Sequence, residues 1–211
     1  LNGENKKGMD VKGYDRRALG VDSPMYDYYA QKIIEKTGIT SGLCVDAGAG
    51  GGYLGLALAK ITDLAFIFLD QSEKMLERAE VNITNAGLKK RARTLYADVH
   101  KIPLESESVD LVISRGSIPF WKEPVTALEE FYRILAPGGM VYVGTGRGTP
   151  EIKKQVEAKR KELGEEPHDW EKEHHHMRGM RCDYDGIESR INITNFKLNR
   201  GEDGSWIQMW K

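Results

Sequence analysis

Apolar residues in this chain come in short runs that end at polar residues, several of them ahead of a helical pattern. Leu43-Cys44-Val45 runs into Asp46, and Leu64 to Leu69 runs into Asp70. Arg93 to Ala97 leads to Asp98, and 110–113 leads to Ser114. Runs without alternation are expected of parallel strands covered on both faces. Between them, apolar positions recur three and four apart, the spacing of one helix face. Ser23-Pro24 is expected to open a helix, with Ser23 as cap, Tyr26, Tyr29, Ala30, Ile33 and Ile34 inward, and Gly38 at its end. Further helices are predicted over 51–61, from a Ser72 cap to Gly87, over 123–135, from Thr149-Pro150 to about 163, and over 185–195. The Pro137-Gly138-Gly139 turn is expected to end one of these and reverse the chain into a strand over 140–144. Near the C-terminus, 196–199 and 205–210 flank Arg200 to Gly204, whose turn residues predict an antiparallel hairpin.

Alternating strands and helices with short connections imply an α/β fold, a doubly wound and mostly parallel sheet with helices on both faces. In such a sheet the ligand lies outside the carboxyl ends of the strands. Asp46, Asp70, Asp98 and Ser114 all fall there. The first connection reads Ala47-Gly48-Ala49-Gly50-Gly51-Gly52. Glycines let a ligand lie against the backbone, and the helix start beyond offers free N–H groups to an anionic ligand group. A single domain is expected: a polar arm over 1–13, a cofactor-binding core over 14–146, a helix and polar segment over 147–185, and a helix and closing hairpin over 186–211.

Taken together, these strand ends, the glycine turn, Tyr96-Ala97-Asp98-Val99 and Pro137-Gly138-Gly139 resemble the class I S-adenosylmethionine-dependent methyltransferases, of the small methyltransferase-11-like kind. The resemblance covers roughly 14–146. It implies a seven-stranded sheet completed by the hairpin, S-adenosyl-L-methionine as cofactor and S-adenosyl-L-homocysteine as product. It also implies cofactor contacts at Tyr14, Asp46, Ala47, Gly48, Ala49, Gly50, Asp70, Gln71, Met75, Asp98, Val99, Ser114 and Arg115. Asp70 would take the ribose diol, Asp98 and the Val99 N–H the adenine, and Asp46 and Ser114 would lie near the ammonium. The nearest alternative is a dinucleotide fold. Its G-x-G-x-x-G pattern fits only at Gly50, Gly52 and Gly55, four residues past Asp46, which would bury the third glycine in the helix.

Charge narrows the partners. Lys plus Arg is 31 and Asp plus Glu is 32, a net charge of −1, so no overall pull toward nucleic acid or membrane surface is expected. The basic stretch Lys89, Lys90, Arg91 and Arg93 reads as a solvated loop. Two cysteines, Cys44 and Cys182, suggest a reducing cytoplasm rather than a disulfide scaffold. No apolar run approaches a membrane span.

The expected acceptor is a small molecule, with protein or RNA methylation and non-catalytic cofactor binding as alternatives. No general base stands out. Arg115 and Ser117, just past the fourth strand, are the catalytic candidates, and Arg115 suits an anionic acceptor. Asp110 reads as structural, and His100 as lying away from the reacting sulfur. Pro119-Phe120 falls too late for the motif of enzymes acting on planar nitrogens. The segment 164–185, with His168, Trp170, Met177 and Met180, is expected to cover the acceptor and face Arg115. Its run His174-His175-His176 offers metal ligands alongside His168 and Cys182, but the three cannot all bind one ion if helical, since successive side chains point about 100° apart, and a solvated or covering segment is the expected reading.

Overall fold

The computed structural model describes residues 11–165 and 182–211. Seven strands form one sheet: β1 (Leu43–Ala47), β2 (Ala65–Asp70), β3 (Ala92–Tyr96), β4 (Val109–Arg115), β5 (Leu135–Thr145), β6 (Phe196–Gly201) and β7 (Gly204–Trp210). Their order is β3-β2-β1-β4-β5-β7-β6. The first five are parallel, and β7 runs antiparallel to both β5 and β6. Strand order reverses between β1 and β4, which places a crevice at their carboxyl ends. Because Thr145 pairs with Ser205, the tip of the β6–β7 hairpin also rises at that end of the sheet.

Strand residues alternate between two apolar layers. Cys44, Phe66, Phe68, Ile113, Tyr142 and Trp206 face α2 (Ser23–Thr37) and α3 (Tyr53–Ala59). Val45, Ile67, Val112, Val143 and Met209 face α5 (Pro124–Ile134), whose Ala127, Leu128, Phe131 and Ile134 are buried. α1 (Val11–Leu19) lies against α4 (Glu73–Asn85), and α6 (Pro150–Glu162) lies against α2. α7 (Tyr184–Arg190) precedes the hairpin and adds Ile187 to the second layer. The seven strands, the Ser72 cap and the left-handed Gly38 at the end of α2 match the sequence reading.

Four local expectations change. Residues 11–13, expected to end a polar arm, open α1 instead. The cap of α2 is Asp22, while Ser23 turns its hydroxyl back to the Gly20 carbonyl, 2.8 Å away. β5 starts at Leu135, directly after α5, so Pro137-Gly138-Gly139 is an irregularity inside the strand and not a reversal before it. Its Gly138 N–H donates to the Lys211 carbonyl at 2.8 Å, which holds this stretch at the end of β7. Finally, α7 stops at Arg190, because Ile191 and Ile193 turn from helix to pack on the second core. The proposed acceptor cover lies largely in 166–181, outside the described residues, with His168, Trp170, the three histidines, Met177 and Met180.

Candidate cofactor site and acceptor crevice

The turn after β1 is built to leave one surface bare. Gly48 has φ +67° and Gly50 has φ +55°, both in the left-handed region that disfavours other residues. Their surroundings differ. A Cβ on Gly48 would sit 2.6 Å from the Ser117 Cβ, so the protein itself fills that side. A Cβ on Gly50 would meet nothing nearer than the Met75 Sδ, at 4.0 Å. The sequence reading expects a side chain at either glycine to block the ligand, and the two positions differ in what surrounds them. Only Gly48 is crowded by protein, and the space beside Gly50 is open.

Asp70 closes one side of that space. Its Oδ2 accepts the Gly50 N–H at 2.8 Å and its Oδ1 accepts the Ser72 N–H at 2.9 Å, tying the glycine turn to the start of α4. Each carboxylate oxygen keeps a second lone pair for a donor from outside. Gln71 is exposed beside it, and Met75 lies buried behind. The Ala49 N–H, in turn, donates to the Leu69 carbonyl at 2.9 Å.

Asp46 is only 2 % exposed, and its Oδ2 accepts the Gly55 N–H at 2.9 Å. Burial pushes its pKa up to about 7, against the pull of the Gly55 N–H, and the Asp70 charge adds to the rise. An unfolded aspartate titrates near about 3.9. Between about pH 4 and 7 the folded protein therefore holds a proton the unfolded chain has lost, and stability falls as pH rises through that window. A shift of this size corresponds to roughly 4 kcal/mol. Asp46→Asn should remove the slope. Its melting temperature should exceed the wild type's at about pH 8 and approach it near about pH 4. Parallel melting curves across that range would show that Asp46 is ionised throughout.

At the β3 end, Asp98 accepts both the His100 N–H, at 3.0 Å, and the His100 ring Nδ1. These contacts hold its carboxyl below the usual range. The His100 Nε2 accepts the Glu123 N–H at 3.2 Å, so the ring is occupied at both nitrogens and bridges toward α5. Val99 is buried beside it.

At the β4 end, the Ser114 Oγ lies 2.6 Å and the Ser117 Oγ 3.3 Å from the Ala47 carbonyl, and the two hydroxyls also touch each other. They clamp the loop after β4 onto the glycine turn. Arg115 turns the other way. Its Nε donates to the Gly146 carbonyl at 3.2 Å, its Nη2 lies 2.9 Å from the Met25 Sδ, and its guanidinium carbon is 4.9 Å and 5.5 Å from the Tyr26 and Tyr29 ring centres. Asp110 is structural, as expected: its Oδ2 accepts the Leu43 N–H at 2.7 Å. Tyr14 packs on Tyr53, with ring centres 5.6 Å apart.

Two networks at this edge had no signal in the sequence. Buried Asp15 accepts from Asn82 Nδ2 at 2.8 Å and from the Tyr53 hydroxyl at 3.2 Å, and pairs with Arg78 at 2.5 Å. The same Asn82 Nδ2 donates to the Gly51 carbonyl at 3.0 Å, so α1, α3 and α4 hold the glycine turn from outside. Asp203, at the hairpin tip, accepts from the Tyr28 hydroxyl at 3.0 Å and pairs with Lys32 of α2. The Tyr29 hydroxyl donates to the Asp203 carbonyl and accepts the Gly148 N–H at 2.7 Å. A separate cleft of about 400 Å³, lined by Leu19, Leu56, Asn82 and Arg91 among others, lies behind α3 and shares no residue with the strand ends.

Comparison with known proteins identifies the class. A family profile described as "Methyltransferase domain" matches residues 45–143. A solved structure from Methanococcus maripaludis, named a candidate S-adenosyl-L-methionine-dependent methyltransferase, is 34% identical, with a TM-score of 0.84 over 100% of this chain and 97% of that one. The chain belongs to the class I S-adenosyl-L-methionine-dependent methyltransferases, and S-adenosyl-L-methionine is the cofactor of that family. A malonyl-[acyl-carrier protein] O-methyltransferase of Marinomonas sp. is 31% identical over 155 residues, 68% of this chain and 54% of that protein. A chloroplastic 2-methyl-6-phytyl-1,4-hydroquinone methyltransferase of rice is 32% identical over 97 residues, 46% of this chain and 28% of that protein. The chain thus spans between about a quarter and a half of the length of these two curated relatives. Among the described residues, no cluster of three or more His, Cys, Asp or Glu could hold a metal ion, and no helix is long and apolar enough to cross a membrane.

Proposed function

We propose that this protein transfers a methyl group from S-adenosyl-L-methionine to a small-molecule acceptor. The observation that carries the reading is the open space beside Gly50, bounded by a carboxylate from the next strand. Asp70 would accept the ribose hydroxyls through the lone pairs its backbone partners leave unused. Asp98, held in place by His100, and the Val99 N–H would take the adenine, with Gln71 and Met75 flanking it. Ala47, Gly48 and Ala49 would form the backbone wall, with the ammonium near Asp46 and Ser114. The bound cofactor would supply a methyl group on a good leaving group. The chain's own contribution is then to hold donor and acceptor in line and exclude water. The named activities of the curated relatives, on a quinol and on a carrier-bound acyl group, support a small acceptor. Both cysteines are free thiols, which supports a reducing compartment such as the cytoplasm.

Calorimetry with S-adenosyl-L-homocysteine tests the reading. A charge-assisted hydrogen bond contributes about 1.5–3 kcal/mol, so Asp70→Ala should weaken binding by at least about tenfold. Asp70→Asn, which keeps an acceptor for one backbone N–H, should fall between the two. Unchanged affinity in both variants would remove Asp70 from the site.

A further inference from the structure

Arg115 is a half-buried cation with unusual company. None of the described acids pairs with it; its partners are a carbonyl, a thioether and two aromatic rings. These fix the plane of the guanidinium without neutralising it. A fixed cation partly withdrawn from water, and not matched by a carboxylate, is electrostatically incomplete. Such a cation is stabilised by an anion lying against it, and a planar guanidinium suits the paired oxygens of carboxylate or phosphate.

Position sets the ligand. Arg115 pairs with Gly144 of β5, and the loop that follows it packs Ser117 onto Gly48. Asp70 and Asp98 lie at the ends of β2 and β3, on the far side of β1. A molecule that approaches the glycine turn from the β5 side meets Arg115, whose guanidinium is backed by the buried rings of Tyr26 and Tyr29. We propose that Arg115 forms an oxyanion-binding subsite for the acceptor, and that the acceptor is a small molecule bearing a carboxylate or phosphate group. This rests on the methyltransferase reading above.

The test titrates benzoate, its neutral analogue benzamide, and inorganic phosphate into the protein with and without S-adenosyl-L-homocysteine. Arginine Nε–H resonances in nitrogen-correlated NMR spectra report the binding. Benzoate or phosphate should shift the Arg115 signal and saturate, with benzamide at least about tenfold weaker. Whichever anion binds tighter names the group on the acceptor. Arg115→Met should abolish the effect on the remaining signals, and Arg115→Lys should retain part of it. The wild-type titration stands even where a variant melts early. Equal response to benzoate and benzamide, or no response to either anion, overturns the subsite. So does a loss of S-adenosyl-L-homocysteine affinity of about tenfold or more in Arg115→Met with 5′-methylthioadenosine affinity unchanged, since Arg115 would then serve the cofactor's own carboxylate. Failure of the wild type to bind S-adenosyl-L-homocysteine would instead sink the methyltransferase reading, while the anion titration without cofactor still decides the subsite.

Discussion

Gly50→Val should give a folded protein that no longer binds S-adenosyl-L-homocysteine, with affinity down by about a hundredfold or more. The argument rests on what lies beside the residue. A new Cβ there meets no protein atom nearer than the Met75 Sδ at 4.0 Å, so the main penalty inside the protein comes from φ +55°. A left-handed conformation costs an ordinary residue roughly 1–2 kcal/mol, more when it is β-branched. That should lower the melting temperature by several degrees without unfolding the domain. The side chain would then occupy the space read as the cofactor's. Gly48→Ala should behave in the opposite way. Its Cβ would fall 2.6 Å from the Ser117 Cβ, so stability drops first, and Ser117→Gly in the same chain should recover part of it. Melting curves and calorimetry on the variants separate the two effects. A folded Gly50→Val that binds normally would mean that the glycine turn is not the cradle.

Asp15→Ala should cause the largest loss of stability, on the order of 1.5–3 kcal/mol, because it leaves the half-buried Arg78 and the buried Tyr53 without their carboxylate. Chemical denaturation would measure it. Burial alone would raise the Asp15 pKa, but the bonds from Arg78 and Asn82 outweigh it and hold the group below the usual value. The stability it supplies is therefore complete above the unfolded value of about 3.9 and is lost as pH falls through the lower, folded value. Asp15→Asn should sit below the wild type by a constant amount above about pH 5, and the gap should close in acid. A gap that stays constant as pH falls below the unfolded value would mean that the charge is not what stabilises the network. Because Asn82 also donates to the Gly51 carbonyl, Asp15→Ala should weaken cofactor binding as well, though none of its atoms faces the open space.

The elements were legible wherever local pattern and local chemistry agreed. Unbroken apolar runs gave strands because both faces of this sheet are covered. Ser72 announced its helix because a cap is a contact within three residues. Pro137-Gly138-Gly139 was misleading because its backbone partner, Lys211, lies at the other end of the chain. The extent of α7 was misleading because Ile191 and Ile193 answer to a core and not to helix spacing.

The sequence by itself determined which acids stand at the carboxyl ends of the strands, since a strand that stops at a carboxylate is a local fact. It could not say what each acid does there. Tertiary structure turned Asp46 into a buried acid with a raised pKa, made Asp70 a clamp on the glycine turn, and gave the two glycines different neighbours. It also joined Asp15 to Asn82 and Arg78 and, across most of the chain's length, Asp203 to Lys32. The reason is physical: burial, pairing and free space are properties of the neighbours a residue acquires in three dimensions, and those neighbours are brought by other elements of the fold.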